Sequence, residues 1–199
     1  MKERGAFICI EGLDGCGKTT QTKLLVERLN VKGYRALRTA EPSTGKIGVF
    51  LKEYCLHGKT RVSSVVETLL FAADRFEHLQ NEVIPALRER KIVVSDRYIY
   101  SSLAYQGATG LDLRWIEKAN EHARCPDLAI FVDVALETAM QRLKAKKSLM
   151  ENFQNLSKVR DIYMKFVAKK ELIRIDGNKS KEEASAAIFE VVQVFLEGY

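Results

Sequence analysis

Gly5-Ala6-Phe7-Ile8-Cys9-Ile10-Glu11 runs directly into Gly12-Leu13-Asp14-Gly15-Cys16-Gly17-Lys18-Thr19, and this join decides the fold. The first half is a short apolar run, the pattern of a buried strand. The second half matches GxxxxGK[ST]. Leu24, Leu25 and Leu29 then recur at helical spacing over residues 18–31, and Gly33 stands where a helix C-cap is expected. Strand, glycine-rich turn and helix, in that order, form the setting in which this motif cradles phosphates. The glycines let the backbone curl so that successive N–H groups point inward, and the helix N-terminus adds positive potential. Gly12, Leu13, Asp14, Gly15, Cys16, Gly17, Lys18, Thr19 and Thr20 are therefore read as the ATP phosphate site. Lys18 would reach the β- and γ-phosphates, and the Thr19 hydroxyl would meet Mg²⁺. Cys16 is read as a spacer within the loop.

Outward from this join, strands are expected at 35–39, 92–95, 128–134 and 172–176. Helices are expected near 47–56, over 65–90, from Asp112 to about Ala123, and over 136–143, 150–169 and 181–196. Pro85 should kink or divide the long one. A further helical, polar-aromatic stretch follows the third strand and ends at Gly107 and Gly110. Strands alternating with helices imply parallel strands and right-handed crossovers. The fold class is α/β, a P-loop NTPase three-layer sandwich: a five-stranded parallel sheet with helices on both faces and a short lid. Residues 1–199 read as one domain, without repeat or linker.

Composition narrows the function classes. Hydrophobic residues are 46% and charged residues 29%, a globular balance. The apolar runs are too short to span a bilayer, so no membrane partner is expected. Met1-Lys2-Glu3-Arg4 lacks the apolar core of a signal peptide, which points to a cytoplasmic protein. The net charge is +6, but the basic residues are scattered and carry no nucleic-acid motif. Cys9, Cys16, Cys55 and Cys125 contain no CxxC pair, so reduced thiols are expected and a zinc site is not. A GTPase would need a guanine-reading NKxD sequence, which is absent. A motor or transporter ATPase would end an apolar run in adjacent acids, whereas Ile92-Val93-Val94-Ser95 ends in Asp96-Arg97.

The acceptor side is more specific. Asp96-Arg97-Tyr98-Ile99-Tyr100-Ser101-Ser102-Leu103-Ala104-Tyr105-Gln106-Gly107 resembles the thymidylate kinase signature DRYxxSxxAYQG. Leu69-Leu70-Phe71-Ala72-Ala73-Asp74-Arg75-Phe76-Glu77-His78 resembles that family's LLFAADRxxH helix, Glu11-Gly12-Leu13-Asp14 its P-loop opening, and Glu41-Pro42 its EP loop. The resemblance implies direct, in-line transfer of the ATP γ-phosphoryl to dTMP with Mg²⁺, by a homodimer. It implies that Phe71 stacks under thymine, and that Arg75 reaches the base and phosphate of dTMP. Ser101, Ser102 and Gln106 line the same site, with Ser102 and Gln106 at the thymine edge. Tyr105 crowds the sugar 2′ position, Asp14 meets the 3′-hydroxyl or the metal shell, and Glu41 and Pro42 shape the acceptor loop. Arg97 clamps both phosphate groups, and Asp96 joins Thr19 in holding Mg²⁺ or its waters. A guanidinium fork suits such a clamp because two like-charged groups must approach closely.

The sequence also departs from the family. An arginine is usual beside the P-loop aspartate, but Gly15 stands there. The lid, about 143–151, carries lysines where arginines are expected, so Lys146 or Lys147 is read as reaching the transferring phosphoryl. Arg142 is read as stacking on adenine. Lys52 takes the place of an arginine at the dTMP phosphate, Ala40 precedes the EP pair, and Ser43-Thr44 follows it. These departures leave open a kinase for another nucleotide, such as dUMP, or a catalytically impaired nucleotide-binding protein.

Overall fold

The structure, a computed structural model, describes residues 5–56, 62–143 and 153–198. Its centre is strand β1 (Ala6–Gly12), buried along its whole length. The parallel partners are β3 (Ile92–Asp96) on one side and β4 (Leu128–Asp133) on the other. Strand β2 (Ala36–Ala40) adds outside β3 and β5 (Ile173–Asp176) outside β4, giving the order β2-β3-β1-β4-β5. The five parallel strands fulfil the expected fold. Near-continuous apolar strands such as Phe7, Ile8, Ile10 and Ile130, Phe131, Val132 fill a core closed on both faces, as parallel sheets require.

Helix α1 (Lys18–Val31) follows the phosphate loop and packs with the last helix, α9 (Lys181–Gly198). It stops at Lys32, and Gly33 takes φ 86°, the left-handed turn anticipated there. Helix α2 (Lys46–Leu51) continues as a π-type turn through Lys52–Leu56. The long helical pattern is divided. Helix α3 (Ser64–His78) passes through π-type winding at Leu79–Val83 into the short α4 (Ile84–Arg88), whose first turn holds Pro85. A wider π turn tolerates the missing proline N–H, so the break is a local rewinding and not a chain reversal.

Helix α5 (Ile99–Ala108) follows β3, and α6 (Leu113–Ala119) is capped by Asp112, which accepts from the Arg114 N–H at 3.0 Å. Gly107 does not end α5 but lies inside it, where an added Cβ would meet Leu113 at 2.5 Å. Helix α6 is shorter than expected, because Asn120 leaves the helix with its side chain turned inward. Helices α7 (Leu136–Leu143) and α8 (Phe153–Ala168) complete the order. No helix among the described residues is long and apolar enough to cross a membrane.

Helix α3 packs contrary to its apolar pattern. Its buried positions include Thr68, Asp74, Arg75 and His78, while Val65, Val66 and Leu69 face outward. The polar side is turned inward because its partners Glu41 and Ser43 lie there.

Candidate functional site

The phosphate loop leaves the C-terminal end of β1, where ligands bind in open parallel sheets. Gly12 has φ 151°, and a Cβ there would strike the Cys16 sulfur and the Val132 carbonyl, each at 2.7 Å. Gly15 and Gly17 also have positive φ, so the loop coils tightly before α1 begins. Leu13 is fully buried and anchors the loop in the core. Lys18, 6% exposed, lies under the coil and donates to the Leu13 carbonyl at 2.7 Å. Its ammonium is 3.9 Å from Asp14 and 3.8 Å from the Cys16 sulfur. Thr19, the next residue, donates to Asp96 Oδ2 at 2.5 Å, bringing the predicted metal-facing pair together.

Beside the loop lies a cavity of about 260 Å³. Its walls include Gly15, Thr20, Gln21, Arg142, Gly177 and Lys179. Arg142 approaches the Gly15 and Cys16 carbonyls at 3.4 Å each. The cavity therefore adjoins the phosphate loop, between Arg142 and the first turn of α9. Lys146 and Lys147, with most of the expected lid, lie outside the described residues.

Arg97 has φ 73°, which turns the chain sharply at the end of β3 and returns the guanidinium toward the loop. It pairs with Asp14, accepted by Oδ1, and donates to Ser101 Oγ at 2.9 Å. The guanidinium carbon lies 4.9 Å from the Tyr105 ring centre, and the Tyr105 hydroxyl accepts from the Asp14 N–H at 2.9 Å. Burial works against the Arg97 charge, but Asp14 and the neighbouring tyrosines outweigh it and hold the group firmly protonated. Burial pushes the Tyr105 hydroxyl up, so it stays neutral.

A second cluster lies between β2, α3 and α5. Arg75, 1% exposed, donates to Glu41 Oε2 at 2.8 Å, Ser102 Oγ at 3.0 Å and Asn120 Oδ1 at 2.5 Å. His78 lies 3.2 Å from Glu41 Oε1 and 2.6 Å from Thr39 Oγ1. Arg75 Nε and Gln106 Oε1 are buried without a hydrogen-bond partner. Phe71 is half-buried one helical turn before Arg75. The Glu41–Pro42 peptide is cis. Behind it, Asp74 accepts from the Ser43 N–H at 2.9 Å and the Ser43 hydroxyl at 2.5 Å. Burial pushes the Asp74 carboxyl up, opposed by these hydrogen bonds. Lys52 donates to the Ser43 carbonyl at 2.8 Å.

Several side chains here escaped the sequence reading. Asn120 follows a short helix and carried no local signal. His78 and Asp74 lie inside the LLFAADRxxH segment but read as ordinary helix residues. Glu11 read as the end of a strand and the opening of the family's phosphate-loop segment, with no role of its own, yet it is fully buried and bonded on both oxygens. Tyr163 read as part of an amphipathic helix.

A glycine-wound phosphate loop at the C-terminal edge of a parallel sheet, paired through Asp14 with Arg97 from the end of β3, defines a P-loop nucleotide-binding protein. The thymidylate kinase family model matches residues 10–188. A probable thymidylate kinase of Pyrococcus horikoshii is 46% identical over 171 residues, covering 81% of this chain and 82% of that protein. One from Pyrococcus abyssi is 39% identical over 203 residues, covering 98% and 99%. A thymidylate kinase of Thermoanaerobacter pseudethanolicus is 37% identical over 202 residues, covering 97% and 100%. The chain belongs to the thymidylate kinase family.

Proposed function

We propose that this chain transfers the γ-phosphoryl group of ATP to the phosphate of dTMP, giving dTDP and ADP. The observation that carries this reading is the Arg97–Asp14 pair, which sets a guanidinium from the acceptor-side signature against the phosphate loop. In the reaction, a dTMP phosphate oxygen attacks the γ-phosphorus, and the bond to the β–γ bridging oxygen breaks. Little covalent work falls to the protein, so positioning and charge neutralisation dominate.

Lys18 and the loop N–H groups would receive the β- and γ-phosphates. Arg97 would leave its Asp14 partner to span donor and acceptor phosphates, and Asp14 would turn toward the sugar hydroxyl or metal waters. Arg142 and the adjoining cavity suit adenine. Lys146 or Lys147 would complete the charge at the transferring group from a lid at about 143–151, within a single domain. Lys52 and the Glu41–Pro42 loop suit the dTMP phosphate end.

The base preference has its own support. Arg75 Nε is a buried donor and Gln106 Oε1 a buried acceptor. That pair complements the carbonyl and ring N–H of a thymine edge and mismatches the amino group of cytosine. Phe71 supplies a ring for stacking, and Tyr105 crowds the 2′ position.

Thr19 and Asp96 are hard oxygen donors of the kind Mg²⁺ takes. Among the described residues, no cluster of three or more His, Cys, Asp or Glu side chains is arranged to hold a metal. A magnesium ion here would draw most ligands from phosphates and water, and would neutralise charge on the β- and γ-oxygens.

We further propose a cytoplasmic homodimer. Helix α2, its π-type continuation and helix α3 expose Val49, Phe50, Tyr54, Val65, Val66 and Leu69, an apolar face suited to a second copy. A coupled assay offering ATP and Mg²⁺ with dTMP, dUMP, UMP, dCMP and thymidine separately tests the main reading. Rapid ADP formation with dTMP is expected; binding of dTMP without turnover would overturn it.

A further inference from the structure

Glu11 stands directly before the phosphate loop and is fully buried, although no part of the reaction above uses it. Its Oε1 accepts the Tyr98 N–H at 2.9 Å. Its Oε2 accepts the Ser101 hydroxyl at 2.6 Å and the Tyr163 hydroxyl at 3.1 Å. The Ser101 oxygen lies 3.0 Å from the Tyr163 hydroxyl and accepts from Arg97 Nη1 at 2.9 Å. The Tyr163 ring is itself fixed, stacked on Phe131 with centroids 4.7 Å apart. One carboxylate thus ties together β1, the turn after β3, helix α5 and helix α8.

An ionised carboxylate can only accept. With Glu11 ionised, the Ser101 proton is directed to Glu11, and the Ser101 lone pairs face the Arg97 guanidinium. The hydroxyl has one orientation that satisfies both neighbours. Arg97 needs such support because its backbone is in the left-handed region and its side chain must change partners when phosphates arrive.

We propose that Glu11 is a positioning residue for phosphoryl transfer: through the Ser101 hydroxyl it holds the Arg97 guanidinium aimed at the phosphate loop. This rests on the kinase reading above. Glu11→Gln keeps the shape and the Tyr98 contact but replaces Oε2 with a donor, so Ser101 must turn its proton elsewhere. Misplacing a clamp by a fraction of an ångström to an ångström costs up to about 100-fold in rate.

The test is a cycle of wild type, E11Q, R97A and E11Q/R97A, with turnover and KM for ATP and dTMP measured for each. E11Q is expected to lower kcat by about 10- to 100-fold while KM for ATP stays within about threefold, and to cost nothing further in the R97A background, as residues acting as one unit behave. An equal loss in both backgrounds, or wild-type turnover for E11Q, would overturn the proposal. If E11Q does not fold, S101A breaks the same link and is judged by the same cycle with R97A. Wild-type turnover of dTMP tests the kinase reading by itself. If that fails, calorimetric binding of inorganic tripolyphosphate across the same variants still decides: coupled losses keep the proposal, and independent losses sink it.

Discussion

The Thr19 hydroxyl meets Asp96 Oδ2 at 2.5 Å across 77 residues of chain, locking the first turn of α1 to the end of β3. The helix that follows the phosphate loop and the neighbouring strand end are thereby joined at the point where the triphosphate and its metal would sit. Asp96→Asn keeps the size but loses the charge. The Mg²⁺ concentration for half-maximal activity is expected to rise by about 10- to 100-fold, the usual effect of losing a group that orients metal ligands. A magnesium titration of turnover with saturating nucleotides checks this.

The buried polar cluster around Arg75, Ser102 and Gln106 makes a prediction about base choice. Gln106→Ala removes a buried acceptor one turn from Ser102. Its kcat/KM for dTMP should fall by about 10- to 100-fold, which corresponds to about 1–3 kcal/mol for one buried hydrogen bond. The preference for dTMP over dCMP should narrow. Steady-state kinetics with both nucleotides measures it; an unchanged ratio would remove Gln106 from base reading.

The lid lysines carry a separate test. Lysine supplies charge without arginine's bidentate fork, so two of them near the transferring group would share the role. The Lys146→Ala/Lys147→Ala double variant is expected to lose about 100- to 1,000-fold in kcat, the range seen on removing electrostatic stabilisation of a transition state. Turnover equal to wild type would assign these residues to solvent.

Glu11 ties function to stability through pH. Burial pushes its carboxyl from the ordinary 4.5 up to about 7, partly offset by its hydrogen bonds and the Arg97 charge. A carboxyl raised in the folded state binds its proton more tightly there than in the unfolded chain. Its stabilising share is complete below about 4.5 and is lost as pH rises through about 7. The wild type should therefore lose up to about 3 kcal/mol relative to E11Q across that window. Urea unfolding of both proteins at several pH values measures the difference. E11Q should be the more stable protein at high pH while being the slower enzyme.

The apolar face on α2 and α3 gives the fifth prediction. Phe50 and Tyr54 stack at 5.2 Å, yet both rings are about half exposed. Leu69→Glu places a charge in that face and should halve the sedimenting mass at equilibrium, with little loss of thermal stability per chain. A wild type that already sediments as a monomer would rule the interface out.

The strands and the phosphate loop were legible because their signals are local. A run such as Phe7-Ile8-Cys9-Ile10 has no stable place outside a core, and Gly12, Gly15 and Gly17 permit backbone angles that other residues resist. Pro85 gave the break in the long helix but not its form, since π winding depends on what packs outside it. Helix α3 was legible as a helix and illegible as a surface. Periodicity identifies an apolar stripe, but here the inward side is Asp74, Arg75 and His78, stabilised by partners 27 to 45 residues away. Asn120 and Tyr163 were hidden for the same reason: their roles exist only through contacts that the chain makes at long range. A buried charge such as Arg75 is tolerable only with its partners present, and their removal typically costs about 3–5 kcal/mol.

Lys18 already grips the Leu13 carbonyl at 2.7 Å beneath the coiled loop. A nucleotide arriving there exchanges one acceptor for another on a side chain that is already ordered. Little conformational freedom is left to lose, so association should proceed by partner replacement on a rigid frame, with its enthalpy set by phosphate against carbonyl and a small entropic penalty from the loop.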